Sequence, residues 1–156
     1  MALYKATQVR NGVPVPSAAN ATDIIPVVGD FTVPTGGLAI GDIVECGAIP
    51  AGYVPVDLIV DNAAFAASVT ANFGILSGAY NEGTHGAATA RTCGAEFAAA
   101  QAMSTAGIKR AAAAGAGRIA PTTADRSFGF VTAGAAGSAG AVIRTTLLCR
   151  PQSEGV

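Results

Sequence analysis

The sequence predicts a mainly β protein, an antiparallel β-sandwich or jelly roll with a long Ala/Gly-rich loop region. Apolar and polar residues alternate with a period of two over residues 53–61, 68–75 and 141–150, the pattern of strands with one face in a core. Proline, glycine and asparagine break the chain between these runs, leaving about six to eight short strands, as in sandwiches and jelly rolls. No stretch supports a helix bundle. At 156 residues the chain is long enough for one real core and short for two. The sequence divides into an extended amino-terminal arm, residues 1–26, and a single β-sandwich domain, residues 27–156.

Within the arm, Val13-Pro14-Val15-Pro16 and Pro26 oppose both helix and central strand, and one edge strand is expected near Ala2 to Val9. Val27 to Val33 is β-branched and aromatic, Pro34 to Gly37 forms a turn, and Ile40 to Cys46 is a second apolar run. In the next strand Val54, Val56, Leu58 and Val60 share one face, and Asp57 and Asp61 share the other. Val69, Ala71, Phe73 and Ile75 alternate with Ser68, Thr70, Asn72 and Gly74, and hairpin-like spacing places these two strands in one sheet. From Ser77 to Pro121 the chain is Ala/Gly-rich, and Ala95 to Met103 admits either one short helix, from its strong helix formers, or a long loop with a helical turn. Ala111 to Gly117 is small enough for close backbone approach, as at a subunit contact. Phe128 and Phe130 then share a face of a strand over Arg126 to Val131. Ala141, Ile143, Thr145, Leu147 and Cys149 oppose Val142, Arg144, Thr146, Leu148 and Arg150 in a last strand. Ala133 to Gly140 joins the two as a hairpin or open loop.

Composition narrows the function. Only 12% of the residues are charged and the formal net charge is −1, against about 25% charged in a typical soluble domain. Such a surface favours association, so much of it is expected to touch protein rather than water. The nine basic residues are scattered apart from Lys109-Arg110, which argues against nucleic acid. The first ten residues lack the apolar core of a secretion signal, and no run approaches the about 20 apolar residues of a membrane helix. Cys46, Cys93 and Cys149 are odd in number and widely spaced, so they read as reduced, buried thiols suited to a reducing cytosol.

A search for chemistry finds no catalytic, cofactor or metal site. His85 is the single histidine, without a nucleophile elbow to serve, and reads as a solvated loop residue. Gly115-Ala116-Gly117-Arg118-Ile119-Ala120 matches the loose dinucleotide pattern but follows polyalanine and precedes Pro121, which is not a strand-to-helix turn. Asp57 and Asp61 would stand about 13 Å apart at about 3.3 Å per residue, beyond the about 5 to 9.5 Å of glycosidase carboxylates. Asp42 and Glu45 fall on opposite strand faces and make no carboxylate pair for a metal. Asn20-Ala21-Thr22 is a glycosylation sequon without a secretion signal. Arg126, Arg144 and Arg150 sit on strands, where they either pair with carboxylates on their own sheet or across an interface, or form an exposed solubilising face.

The run from Leu38 through Gly41-Asp42-Ile43-Val44-Glu45-Cys46 and Pro50-Ala51-Gly52-Tyr53-Val54-Pro55 to Asp61 resembles small structural proteins of tailed bacteriophages. So does Ala124-Asp125-Arg126-Ser127-Phe128-Gly129-Phe130 with Ala141-Val142-Ile143-Arg144-Thr145-Thr146-Leu147-Leu148. The resemblance implies a non-enzymatic capsid decoration, or cement, protein that binds across neighbouring subunits of the major capsid protein and associates with itself as a homotrimer. It would lie on the capsid surface after synthesis in the host cytoplasm. A tail or baseplate component and a carbohydrate-binding β-sandwich module are the alternatives.

Overall fold

The computed structural model describes residues 1–12 and 24–152. The Val13-Pro14-Val15-Pro16 segment, the sequon at Asn20 and the last four residues lie outside the described residues. In chain order the elements are β1 (Leu3–Lys5), α1 (Thr7–Arg10), β2 (Ile25–Thr32), β3 (Ile43–Ile49), β4 (Tyr53–Asn62), β5 (Thr70–Ala79), β6 (Ala98–Ala102), β7 (Gly107–Arg110), β8 (Arg126–Ala133) and β9 (Val142–Pro151). A 3-10 turn, Ala116–Arg118, precedes β8.

Two sheets face one another. One has the order β1-β3-β8-β5-β6 and the other β2-β9-β4-β7. All pairings are antiparallel except β1 with β3, so the expected β-sandwich is the fold. Inward alternation fills the space between the sheets with Val27, Phe31, Val44, Cys46, Leu58, Val60, Phe73, Phe128, Phe130, Ile143 and Leu147. Phe130 is the hub of an aromatic stack, with ring centroids 5.3 Å from Phe73 and 6.4 Å from Phe31, distances at which tilted rings attract.

β9 carries Ile143, Thr145, Leu147 and Cys149 into this core, each at most 1% exposed, as its alternation predicts. β4 departs from its pattern at Val56, which is 37% exposed rather than buried with Val54, Leu58 and Val60. The β4–β9 register slips between Pro55 and Asp57. Pro55 has no N–H to give the ladder, and the resulting bulge turns the next residue outward.

One pairing expected from spacing is corrected, and one left open between a hairpin and an open loop is decided. β4 and β5 lie in different sheets, because the segment between them crosses the edge of the sandwich, with Phe65 buried and its N–H on the Met103 carbonyl at 3.0 Å. β8 and β9 are likewise split between sheets, so Ala133 to Gly140 is an open crossing rather than a hairpin. It is pinned where Leu38 and Gly137 exchange backbone hydrogen bonds at 3.2 and 2.8 Å.

A helix over Ala95 to Met103 is corrected too: Ala98–Ala102 is β6, paired with β5. Ala100 has φ 48°, incompatible with a right-handed helix, and Phe97 and Met103 are both 1% exposed in the core. Edge pairing and burial of these anchors outweigh the helix preference of alanine, which is worth a few tenths of a kcal/mol per residue, about 0.7 at most against ordinary residues. Among the described residues the one short α-helix is instead α1. The expected strand at the amino terminus shortens to Leu3–Lys5 before α1 begins. The close approach foreseen for the polyalanine run occurs within the chain, where the Ala112 and Ala113 N–H groups share the Phe97 carbonyl at 3.1 and 3.0 Å.

Candidate assembly interface

The outer faces of the two sheets are built differently. On the five-stranded sheet, Leu3, Ile43 and Leu76 form a small second core with Cys93 and Val131 packed against it. The segment from Tyr80 to Glu96 covers this face. It meets the far edge where the Gly86 N–H donates to Leu3 at 2.7 Å and the Leu3 N–H to Ala87 at 2.9 Å, then returns to β5 where the Gly94 N–H donates to Ile75 at 3.0 Å.

Its fastening is Arg91, whose guanidinium donates to Glu45 at 3.1 Å, to the Ser127 hydroxyl at 2.9 Å, and to the Ser77 and Glu82 carbonyls at 2.6 and 3.2 Å. The Glu45 and Arg91 side chains are 0% and 7% exposed. Ser127 also donates to Glu45 at 2.5 Å, so one carboxylate oxygen gathers the contacts while Oε2 has no hydrogen-bond partner among the described residues. Gly129, between Ser127 and Val131, has no room for a side chain: a Cβ there would overlap the Val44 carbonyl.

The four-stranded sheet has no such cover among the described residues. Cross-strand register puts Val28, Thr146 and Ile59 in one row, and Asp30, Arg144, Asp61 and Ile108 in the next. Val28, Val56, Ile108 and Val142 on this side are 37%, 37%, 72% and 48% exposed. Two ion pairs lie within the face, while the exposed Asp61 makes none among the described residues. Arg144 donates to Asp30 at 2.5 Å, and Arg110 donates to Asp57 through Nε at 2.9 Å and also through its terminal nitrogen. The Arg144 hydrogen bond holds the Asp30 carboxyl below its ordinary value, against a smaller upward push from burial. Beside Val142 a shallow depression of ≈ 350 Å³ opens between Asp61, Ala63 and Arg144. Aliphatic side chains beside paired charges suit a desolvating protein contact, because a paired charge costs less to bury than a lone one. At the free edge of β2, the Gln8 side chain takes the Asp30 N–H at 2.8 Å and donates back to its carboxylate at 2.8 Å, blunting the edge against strand addition.

The other sequence candidates are placed apart from one another. Asp57 and Asp61 share the open face as read, each beside an arginine rather than facing the other. Asp42 closes a turn, accepting the Ala2 and Ala39 N–H groups at 2.6 and 2.8 Å. Gly115 to Ala120 contains the 3-10 turn Ala116–Arg118, which five residues separate from β7 and which no α-helix follows directly. Arg126 is half-buried and donates to the Ala120 carbonyl at 2.9 Å. His85 is an exposed loop residue, but its Nδ1 accepts the Lys5 N–H at 3.1 Å. Burial pushes the thiols of Cys46 and Cys149 up to about 12. Among the described residues no three His, Cys, Asp or Glu side chains come together as metal ligands, and no described helix is long and apolar enough to cross a membrane.

Sequence reasoning placed Glu45 but missed its partner Arg91. The available signal was a carboxylate inside the apolar run Ile43 to Ile49, which implies a buried counter-charge. It also missed the aliphatic membership of the open face, since Ile108 lies in the Ala/Gly-rich stretch.

No protein-family model and no curated protein sequence matches the chain. Among solved structures, the cyanophage Pam1 capsid asymmetric unit contains a chain matched with a TM-score of 0.59 at 15% identity, over 89% of this chain and 93% of that one, a likeness of fold. A chain of the capsid of Ralstonia phage GP4 matches with a TM-score of 0.85 at 30% identity, over 98% of this chain and 100% of that one. At that identity over nearly the whole of both chains, the chain belongs with that GP4 chain to one family of bacteriophage capsid proteins, structural components of the virion.

Proposed function

We propose that this protein decorates and stabilises a bacteriophage head, binding across neighbouring subunits of the major capsid protein from the capsid surface. The observation that carries the reading is the unequal treatment of the two sheets: one outer face is sealed by the chain itself, and the other displays Val28, Ile59, Ile108, Val142 and Leu148 beside paired charges. The sandwich domain presents the open face to the shell or to its own copies as a homotrimer, and the arm of residues 1–26 is anchored through Leu3, Ala6 and Val9, which are buried. Such a protein acts by adhesion rather than catalysis. Binding only the assembled lattice stabilises it by mass action, and symmetry repeats each weak contact many times.

A carbohydrate-binding module would offer an exposed aromatic platform. Tyr4, Tyr53 and Tyr80 are instead half-buried and packed on the core. A tail or baseplate role uses the same fold but has no observation in its favour here.

The test is to add purified protein to shells lacking it, then combine sedimentation with electron cryomicroscopy of the native particle. Density for this chain on the outer surface of the head, bridging capsid subunits, is the expected result. Density confined to the tail, or no co-sedimentation with shells, overturns the decoration reading; light scattering that shows a monomer in solution and on the particle overturns the trimer.

A further inference from the structure

A cleft of ≈ 260 Å³ opens where α1, the end of β2 and the 81–86 segment meet. Its polar groups are one-sided. Of the seven lining residues, Lys5, Arg10 and His85 bear cationic or nitrogen-donor side chains, Thr7 and Thr32 bear hydroxyls, Phe31 and Pro34 are apolar, and none is a carboxylate. Lys5 is 6% exposed, and its ammonium is held by neutral oxygens alone, the Asn81 carbonyl and side chain at 2.8 and 2.6 Å and the Gly83 carbonyl at 2.8 Å. The carboxylate beside it in the sheet, Glu45, is its register partner in β3 but is committed to Arg91. Two buried cations therefore share one buried anion, and positive potential is left at the cleft.

Two groups are placed to use that potential. Arg10 is exposed and makes no ion pair among the described residues. The His85 ring is held by the Lys5 N–H on Nδ1 and by the Tyr4 ring, perpendicular at 83° with centroids 5.6 Å apart. With Nδ1 accepting, the neutral imidazole carries its proton on Nε2, so the ring is a donor.

We propose that this cleft is an oxyanion site, taking one carboxylate or phosphate group between the Arg10 guanidinium and the His85 imidazole, with the Thr7 and Thr32 hydroxyls completing the donor set. Burial, and to a smaller extent the Arg10 and Lys5 charges, push the His85 ring below its ordinary pKa. The volume falls short of the about 300 Å³ at which pockets begin to hold drug-sized ligands, so a single small group fits and a nucleotide does not. Free phosphate and an acidic side chain from a neighbouring capsid protein supply the same chemistry. The second source rests on the decoration reading; the first does not.

Because His85 is the single histidine, its ring gives one unambiguous set of nuclear magnetic resonance signals. Titrating the full chain with inorganic phosphate, and separately with acetate, against chloride at equal ionic strength should shift those signals saturably and raise the pH at which the ring protonates. Arg10→Gln, an exposed substitution that leaves the core untouched, should weaken the phosphate response about tenfold, the loss of one charge-assisted hydrogen bond. If the natural anion is a side chain of the shell, Arg10→Gln also weakens attachment to shells and added phosphate competes with attachment. Normal attachment by Arg10→Gln, with the phosphate response intact in the parent, assigns the site to a free anion. No response to either anion in the parent, or an undiminished one in Arg10→Gln, overturns the site.

Discussion

The two sheets carry the same kind of ion pair to opposite ends. Glu45 and Arg91 meet beneath a loop with almost no solvent, while Arg144 meets Asp30 on the open face with side chains 64% and 33% exposed. In the first setting both ions have already lost their water, so each depends on the other and on Ser127, Ser77 and Glu82 for its polar contacts. In the second, water screens the pair and would solvate either partner alone. The covered sheet thus uses charge as a fastening, and on the open sheet the Arg144–Asp30 pair only offsets charge at an exposed surface. Burial, not residue type, decides which.

The covered side should break first and hardest. Arg91→Ala strands Glu45 without a counter-charge and is expected to cost about 3–5 kcal/mol in chemical denaturation. It should also lift the Tyr80 to Glu96 cover, so that Cys93, whose thiol burial pushes up to about 12, becomes open to alkylation while Cys46 and Cys149 stay protected. A loss under about 1 kcal/mol with Cys93 still protected would mean that this pair does not hold the cover. Leu76→Ala empties part of the small core under the loop. A loop-covered site can partly collapse, so the loss should lie near the low end of the range for such truncations, about 2 kcal/mol by the same denaturation assay.

On the open side the order of effects reverses. Val28→Ser with Val142→Ser should move stability by about 0.5 kcal/mol or less yet visibly reduce co-sedimentation with shells; full retention of shell binding would remove this face from the interface. Smallest of all is the acid response of Asp30. Arg144 lowers its folded-state pKa below 3.8, so the contribution is present above that ordinary value and fades as pH falls through the lower folded one. Arg144→Ala should therefore leave the melting temperature near neutral pH almost unchanged while making the protein slightly less sensitive to acid. A parent and variant with identical acid limbs would show that the pair contributes nothing.

Alternation was readable wherever it ran uninterrupted. Ile143, Thr145, Leu147 and Cys149 all point inward because a period of two fixes the face of a strand regardless of its neighbours. It fails at Val56, where one proline slips the register, and it carries no information about partners: β4 and β5 look like a hairpin and belong to different sheets. β6 was hidden because alanine favours helices locally, while pairing with Thr70 and Ala71 is a fact about the distant chain. The candidate sites divide the same way. Asp57, Asp61 and Arg144 declare an outward polar face through spacing, whereas Arg91 on Glu45, and Arg10 beside His85, are brought together only by the loop between β5 and β6.

β8 joins β3 to β5 and β9 joins β2 to β4, so the two strands that complete both sheets follow all the others along the chain. A nascent chain halted before Arg126 owns neither sheet, and only β5 and β6 are sequence neighbours that pair. Almost every pairing must wait for a long loop to close, a topology that folds slowly and in one cooperative step. A nick between β4 and β5 leaves fragments that each hold strands of both sheets, so a cut chain stays interlocked. That interlocking is a form of durability independent of any single contact.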